Sequence, residues 1–192
     1  RKTARLADHL LRTLWQRAGL GSDFALIGVG GFGRGELFPH SDVDVLVLMP
    51  DGAAPETDST LKHRLEEFIG LCWDCGLDIG SSVRTVAECV DESNRDVTVQ
   101  TSLLEGRLVA GSRNQFRRLV LALNQAMVPK AFFVAKTLEM RQRHHRHEDS
   151  PYALEPNCKE SPGGLRDLQI ILWVAKAAGF GDNWQALAAS GL

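Results

Sequence analysis

A pair of glycines and a pair of aspartates, separated by ten residues, constrain this chain more than any other feature. Gly30 and Gly31 follow an apolar run of strand length at residues 24–29, and Asp42 and Asp44 open a second apolar run. Consecutive glycines at the end of a strand let the backbone approach a ligand closely. If a helix begins there, its free N–H groups favour phosphate. The pattern predicts a strand, a glycine turn and a second strand.

Asp42 and Asp44 are two residues apart on a predicted strand, so both carboxylates point to the same face of the sheet. Two adjacent carboxylates repel each other unless a cation lies between them, and magnesium prefers such oxygen ligands. Nucleotidyl transfer needs a phosphate-binding turn beside such a pair, because the metals activate the attacking oxygen and stabilise the leaving pyrophosphate. We therefore predict a nucleotidyltransferase site.

The glycines also imitate a dinucleotide-binding fingerprint, with Gly28, Gly30 and Gly33 at suitable spacing. That fold carries an acidic residue about 20 residues further on, at the end of a second strand. The corresponding stretch here, residues 50–57, is a polar loop. The dinucleotide interpretation is therefore disfavoured.

Composition excludes several other classes of function. Of the 192 residues, 44% are hydrophobic and 24% are charged, and the net charge is -2, which is typical of a globular protein and not of a basic nucleic-acid coat. No apolar run reaches the roughly 18 residues of a membrane-spanning helix, and no signal peptide opens the chain. We expect a cytoplasmic protein without nucleic-acid or membrane partners. Since the chain starts at Arg1 and stops after a predicted helix, we expect a fragment.

Hydrophobic periodicity predicts an α/β domain followed by a helical domain. The first domain, residues 1–111, begins with a helix at 3–18 and contains a small mixed sheet. The second domain, residues 112–192, is expected to be truncated at its C-terminus. Its predicted helices are 113–127, 129–147, 166–178 and 183–190. The four tryptophans fall on apolar helical faces and are predicted to be core residues; they are Trp15, Trp73, Trp173 and Trp184.

Cys72 and Cys75 form a CxxC motif, which is typical of half a zinc site or of a redox pair. No second CxxC or matching histidine pair follows. We therefore favour two small apolar residues on a helix. Four scattered cysteines do not make a disulfide framework, and a reducing cytoplasm suits them.

The stretch from Gly30 to Asp44 resembles the signature of the DNA polymerase β-type nucleotidyltransferase superfamily. Together with residues 78–85, 104–111 and 154–169, it is similar to the bacterial PII uridylyltransferase/uridylyl-removing enzyme family. The last of these segments is the most specific, because the broad superfamily lacks it.

The resemblance implies a transferase that moves UMP from UTP to a tyrosine hydroxyl of the PII signalling protein with two Mg²⁺ ions. It implies Asp42 and Asp44 as metal ligands. Asp78, where the family carries glutamate, would be a third carboxylate that either binds metal or accepts the tyrosine proton. The residues implied to contact the triphosphate are Gly30, Gly31 and Ser41. Full-length members also carry an HD hydrolase domain and two ACT domains, which this chain does not include.

Two arginines are further candidates for binding the nucleotide. Arg34 lies in the glycine turn and Arg84 ends a predicted strand, and either guanidinium suits a phosphate. The alternative for each is an ion pair with a nearby acid, such as Glu36 for Arg34.

Two features of the helical half have no assigned role. His144, His145 and His147 alternate with arginines, so we predict a solvated basic helix end, although His144 falls where the family carries a histidine. Residues 150–165 form a segment that we expect to pack over the nucleotide or the protein substrate. The residues expected to act there are Lys159, Glu160 and Arg166, with helix capping by Arg166 or Asp167 as the alternative.

Two rival functions stay open. The first is another enzyme of the superfamily, such as a protein adenylyltransferase, because the sequence does not identify the side chains that distinguish uracil from adenine. The second is a non-catalytic module that binds nucleotide or PII, although the intact pair of Asp42 and Asp44 disfavours it. A nucleic-acid polymerase is disfavoured by the negative net charge and the lack of a basic, aromatic stripe.

Overall fold

The computed structural model describes residues 2–38, 41–147 and 157–191. The chain divides after Ala126 into two compact units. The first carries a four-stranded sheet with helices, and the second consists of helices.

A mixed sheet forms the centre of the first unit. Its strands are β1 (Ala25–Gly28), β2 (Val43–Leu48), β3 (Ile79–Arg84) and β4 (Arg107–Gly111). They lie in the order β3-β2-β1-β4. β1 is antiparallel to β2 and β4, whereas β2 and β3 are parallel. The predicted α/β fold with a small mixed sheet is confirmed.

Helices cover both faces of this sheet. They are α1 (Lys2–Ala18), α2 (Gly30–Gly33), α3 (Ser59–Asp74), α4 (Val86–Arg95), α5 (Val97–Leu104) and α6 (Arg113–Ala126). One apolar cluster joins α1 and α3 to Val43, Val45 and Val47 of β2, and a second joins α4 and α6 to Leu46 and Leu48. Alternate residues of β2 therefore fill cores on opposite faces of the sheet.

Capping side chains explain where several helices begin. The Asp58 carboxylate accepts hydrogen bonds from the N–H groups of Thr60 and Leu61 at the start of α3. Thr85 and Glu88 form a capping box at the start of α4. The Asp96 side chain accepts a hydrogen bond from the Thr98 N–H at the start of α5.

The second unit contains α7 (Pro129–Arg146), α8 (Leu165–Ala177) and α9 (Trp184–Ala189). Its buried side chains include Phe132 and Trp173, together with the charged residues Lys136 and Arg143. Within the described ranges, no single helix is both long and apolar enough to cross a membrane, and α6 with α7 meets that test only as a broken pair.

Two observations differ from the sequence-based expectations about domains and strands. The first compact unit ends at Ala126 and not at residue 111, because Leu119 of α6 packs in the cluster that contains Ala25 and Ile27 of β1. The periodicity of α6 predicts a helix but does not indicate the unit it packs against. β4 was not predicted as a strand, since it has only five residues and its burial does not alternate clearly.

The prediction for the tryptophans is correct for two of the four. Trp15 and Trp173 are buried, and Trp15 makes an edge-to-face contact with Phe68. Trp73 is 62% exposed and Trp184 is 46% exposed. An apolar residue on an amphipathic helix can lie beside the buried face without being part of it.

Candidate active site

Two of the predicted acidic residues lie side by side at the N-terminal ends of two paired strands. Asp42 immediately precedes β2, and Asp78 immediately precedes the parallel strand β3. Val43 pairs with Ile79, and the Val43 N–H donates a hydrogen bond of 2.8 Å to the carbonyl oxygen of Asp78. The strand register therefore brings Asp42 and Asp78 together, although they are distant in sequence.

Asp44 lies on the same face of the sheet as these two acids. It alternates with Val43 and Val45, and it continues the row of Leu46 and Leu48 that faces α4 and α6. Its side chain is exposed, whereas the leucines of that row are buried. A carboxylate at the open end of a buried apolar row contributes little to packing and suggests a role in chemistry.

A glycine in β3 makes room for the Asp44 carboxylate. Gly80 pairs with Asp44, and a Cβ atom built on Gly80 would lie 2.6 Å from Asp44 Oδ1. Any other residue there would displace the carboxylate. Gly80 therefore helps to determine where the Asp44 side chain lies.

The glycine turn is attached to the same position. The Val29 N–H donates a hydrogen bond of 3.0 Å to the Asp44 carbonyl oxygen. Gly30 follows with φ of 55°, a left-handed conformation that favours glycine, and a Cβ atom there would lie 3.5 Å from Asp44 Oδ2. Gly30 thus borders the Asp44 carboxylate, whereas Gly31 lies next to the Glu36 carbonyl oxygen and the Arg34 guanidinium.

The remaining glycines of the turn serve close packing. A Cβ atom on Gly33 would lie 2.2 Å from the carbonyl oxygen of Glu105, and one on Gly28 would lie 2.8 Å from the Phe32 ring. The dinucleotide-like spacing therefore reflects contacts of the turn with α5 and with its own aromatic residue.

Arg34 and Ser41 lie close to the turn in sequence, and each has a local contact. The Arg34 guanidinium forms ion pairs with Glu36 at 2.9 Å and with Glu105 at 3.4 Å. This is the alternative considered for Arg34, and a phosphate would have to compete with both acids. Ser41 is exposed, and its N–H donates to the Phe38 carbonyl oxygen.

Arg84 lies at the opposite end of β3 from the carboxylates. It ends β3 and pairs with Leu48, six residues after Asp78. Six residues of extended strand span about 20 Å. A nucleotide whose phosphates lie at the glycine turn does not bring them to Arg84, so the site described here does not include this residue.

The acids suit a magnesium site in which the substrate supplies some of the ligands. Among the residues that the structure describes, no three Asp, Glu, His or Cys side chains converge closely enough to hold a metal ion. Magnesium in phosphate-transferring sites is commonly held by one or two carboxylates together with water and substrate phosphates. Asp42 and Asp44, beside a glycine turn that can admit phosphates, suit that type of site.

A charged cluster occupies the second unit. His144 Nε2 lies 3.0 Å from both carboxylate oxygens of Asp167, and Arg143 also forms an ion pair with that carboxylate. Arg143 is 4% exposed, so the prediction of a solvated basic helix end is wrong at these two residues. The partner could not be predicted from the sequence, because Asp167 lies on another helix.

Asp167 also holds the turn before α8, since its carboxylate accepts a hydrogen bond of 2.7 Å from the Gly163 N–H. Burial raises the pKa of Asp167, but hydrogen bonds from Arg143, Gly163 and His144 outweigh it and hold the pKa below its ordinary value. Arg166 pairs with Glu160 at 3.3 Å. Residues 150–156 of the predicted substrate-covering segment lie outside the described residues, and its role stays a prediction.

The CxxC cysteines have different environments. Cys72 is buried in the apolar cluster under α3, where burial raises the pKa of its thiol to about 12. Cys75 is exposed at the end of that helix. A buried, protonated thiol suits core packing, as predicted for Cys72.

Comparisons with known proteins agree with this geometry. The sequence matches the nucleotidyltransferase domain family over residues 10–100 and the GlnD PII-uridylyltransferase family over residues 131–192. The α/β fold of the first unit therefore agrees with the match to a nucleotidyltransferase domain. A crystal structure of a toxin–antitoxin with AMP-PNP covers 74% of this chain and 96% of its own, but its TM-score of 0.38 and identity of 13% carry no argument.

Similar curated proteins are named bifunctional uridylyltransferase/uridylyl-removing enzymes. The protein of Burkholderia pseudomallei (strain K96243) is 60% identical over 98% of this chain, and that of Burkholderia mallei (strain ATCC 23344) is 59% identical over 98%. Over nearly all of its length, this chain is similar to these enzymes. It spans 22% of the length of these relatives.

Sequence reasoning missed two residues that shape the site. Gly80 makes room for Asp44. Glu105, whose side chain is 8% exposed, forms an ion pair with Arg34, and its carbonyl oxygen lies close to Gly33. Both lie in segments that resembled the family, but a resemblance does not identify which atoms meet. Their roles depend on the strand register and on the packing of α5 against the turn.

Proposed function

We propose that the protein transfers UMP from UTP to a tyrosine hydroxyl of the PII signalling protein and releases pyrophosphate. The relatives' names support uridylyl transfer, and the match to the GlnD PII-uridylyltransferase family supports PII as the acceptor. The observation that carries the proposal is that Asp42, Asp44 and Asp78 lie at the same end of β2 and β3. They share one face of the sheet, beside the glycine turn.

In this proposal Asp42 and Asp44 hold two Mg²⁺ ions, with Asp78 as a third ligand or as the acceptor of the tyrosine proton. Bound magnesium supplies polarisation of the α-phosphate and neutralises charge on the leaving pyrophosphate. Gly30 and Gly31 allow the triphosphate to approach the backbone, and Ser41 offers a hydroxyl next to the first carboxylate. Arg34 contributes a positive charge that Glu36 and Glu105 keep beside the turn.

The test measures the intact mass of PII after incubation with the full-length enzyme, Mg²⁺, ATP, 2-oxoglutarate and UTP. We expect a gain of one UMP that requires UTP. Asp42→Asn is expected to abolish the gain, because it removes metal-binding charge and little volume. Asp23→Asn, which changes an exposed aspartate before the start of β1, is the matched control and should behave as wild type.

Three results would contradict the proposal. An Asp42→Asn enzyme that keeps half of the wild-type rate would exclude that residue as a metal ligand. A mass gain with ATP as the only nucleotide would indicate adenylyl transfer. Binding of UTP without any transfer by the full-length enzyme would indicate a non-catalytic module.

A further inference from the structure

Ser102 on α5 lies against the glycine turn. A Cβ atom built on Gly30 would lie 3.6 Å from Ser102 Oγ and 3.5 Å from Asp44 Oδ2. The hydroxyl and the carboxylate therefore border the same small space next to Gly30. Residue 102 is far from this turn in sequence, so only the packing of α5 brings it there.

A second contact from the same face of α5 also places this helix against the turn. Glu105 comes three residues later, at the end of the helix, and residues three apart lie on one helical face. Its carbonyl oxygen packs against Gly33, and its carboxylate pairs with Arg34 at 3.4 Å. This face of α5 is thus directed at the turn at two successive positions.

The chemistry of Ser102 differs from that of its neighbours on α5. Thr101 and Leu103 are buried, and the Thr101 hydroxyl donates to the Val97 carbonyl oxygen. Ser102 is half-buried, and across the described ranges its hydroxyl makes no hydrogen bond of this kind. A hydroxyl beside a carboxylate and a glycine backbone can donate to an anionic oxygen that enters the space.

We propose that Ser102 donates a hydrogen bond to a phosphate oxygen of the bound nucleoside triphosphate. α5 then forms a third side of the phosphate site, in addition to the glycine turn and β2. The inference rests on the proposed function, because it requires the triphosphate to bind beside Gly30 and Gly31.

The test measures the affinity of the full-length enzyme for α,β-imido-UTP with Mg²⁺ by calorimetry. The informative pair is Ser102→Thr and Ser102→Val, which have nearly equal volumes and differ in the hydroxyl. We expect Ser102→Thr to bind within about threefold of wild type and Ser102→Val to bind about tenfold more weakly. Ser59→Ala, which removes an exposed hydroxyl at the start of α3, is the control and should bind as wild type.

Equal affinities of Ser102→Thr and Ser102→Val would overturn the inference, whether both equal wild type or both are weakened, because packing and not the hydroxyl would then be responsible. Asp44→Asn separates this failure from failure of the proposed function. If Asp44→Asn weakens binding of the analogue while the Thr and Val variants are equal, the site stands and Ser102 has no role. If Asp44→Asn binds as wild type, both proposals fail.

Discussion

The two units of this chain are stabilised by different kinds of interaction. The first unit packs two clusters of apolar side chains on opposite faces of its sheet. The acidic residues of the candidate site lie exposed where β2 and β3 begin. The second unit buries Lys136 and Arg143, at 1% and 4% exposure, and stacks the Lys136 ammonium 4.7 Å from the centre of the Trp173 ring. The second unit thus buries charged side chains in its interior, whereas the first unit exposes the acids to which we assign a chemical role.

This difference determines which substitutions each unit tolerates. Removing an exposed carboxylate changes stability little, because water solvated the charge in the folded state. Removing one partner of a buried ion pair leaves the other charge buried without compensation, which is strongly destabilising. Substitution of the exposed acids of the proposed site should therefore affect turnover, whereas substitution of Asp167 should affect stability.

The largest loss of stability is expected from the apolar core of the first unit. Phe68 of α3 is fully buried and contacts Trp15 of α1. Phe68→Ala should therefore lower the free energy of unfolding by about 3–5 kcal/mol. Urea unfolding measures this change. Leu6→Ala, at a site that is 69% exposed on α1, is the control and should change stability by less than about 0.5 kcal/mol. Similar losses for both variants would show that this cluster is not the core.

A smaller loss is expected when the charged cluster of the second unit is broken. Asp167→Asn removes the carboxylate that pairs with Arg143 and His144, and we expect a loss of about 2–3 kcal/mol. Asp182→Asn, on an exposed aspartate of the same unit, should leave stability unchanged. If the two variants unfold at the same urea concentration, the cluster does not stabilise this unit.

In the first unit, a glycine substitution should reduce turnover without unfolding the protein. A Cβ atom on Gly80 would lie 2.6 Å from Asp44 Oδ1, so Gly80→Ala should displace the carboxylate and lower kcat by roughly tenfold to a hundredfold. Gly70→Ala adds the same atom on α3, where nothing lies within 4 Å, and should keep full activity. Full activity of Gly80→Ala would mean that the position of Asp44 is not critical.

The smallest effect concerns pH. Hydrogen bonds outweigh burial and hold the pKa of Asp167 below its ordinary value. Its charged form therefore contributes stability above the unfolded-state pKa, and this contribution is lost as pH falls through the folded-state pKa. The stability difference between wild type and Asp167→Asn should therefore shrink as pH is lowered from 6 to 3, as unfolding at several pH values can measure. A difference that stays constant would contradict the role given to the carboxylate.

The sequence predicted the parts of the site that depend on local periodicity. Alternation along one strand put Asp42 and Asp44 on a common face, and the glycine pair indicated a turn beside them. Gly80 and Ser102 could not be predicted, because their roles depend on the register of β2 with β3 and on the packing of α5. Arg143 was predicted to be exposed because its neighbours are basic. It is buried, and its partner Asp167 lies on a helix whose position the sequence does not reveal.

The most direct measurement is a crystal structure of the protein with Mg²⁺ and α,β-imido-UTP. We predict magnesium on Asp42 and Asp44, with the triphosphate against Gly30 and Gly31. A triphosphate bound at the other end of β3, beside Arg84, would contradict the assignment of the active site to these carboxylates.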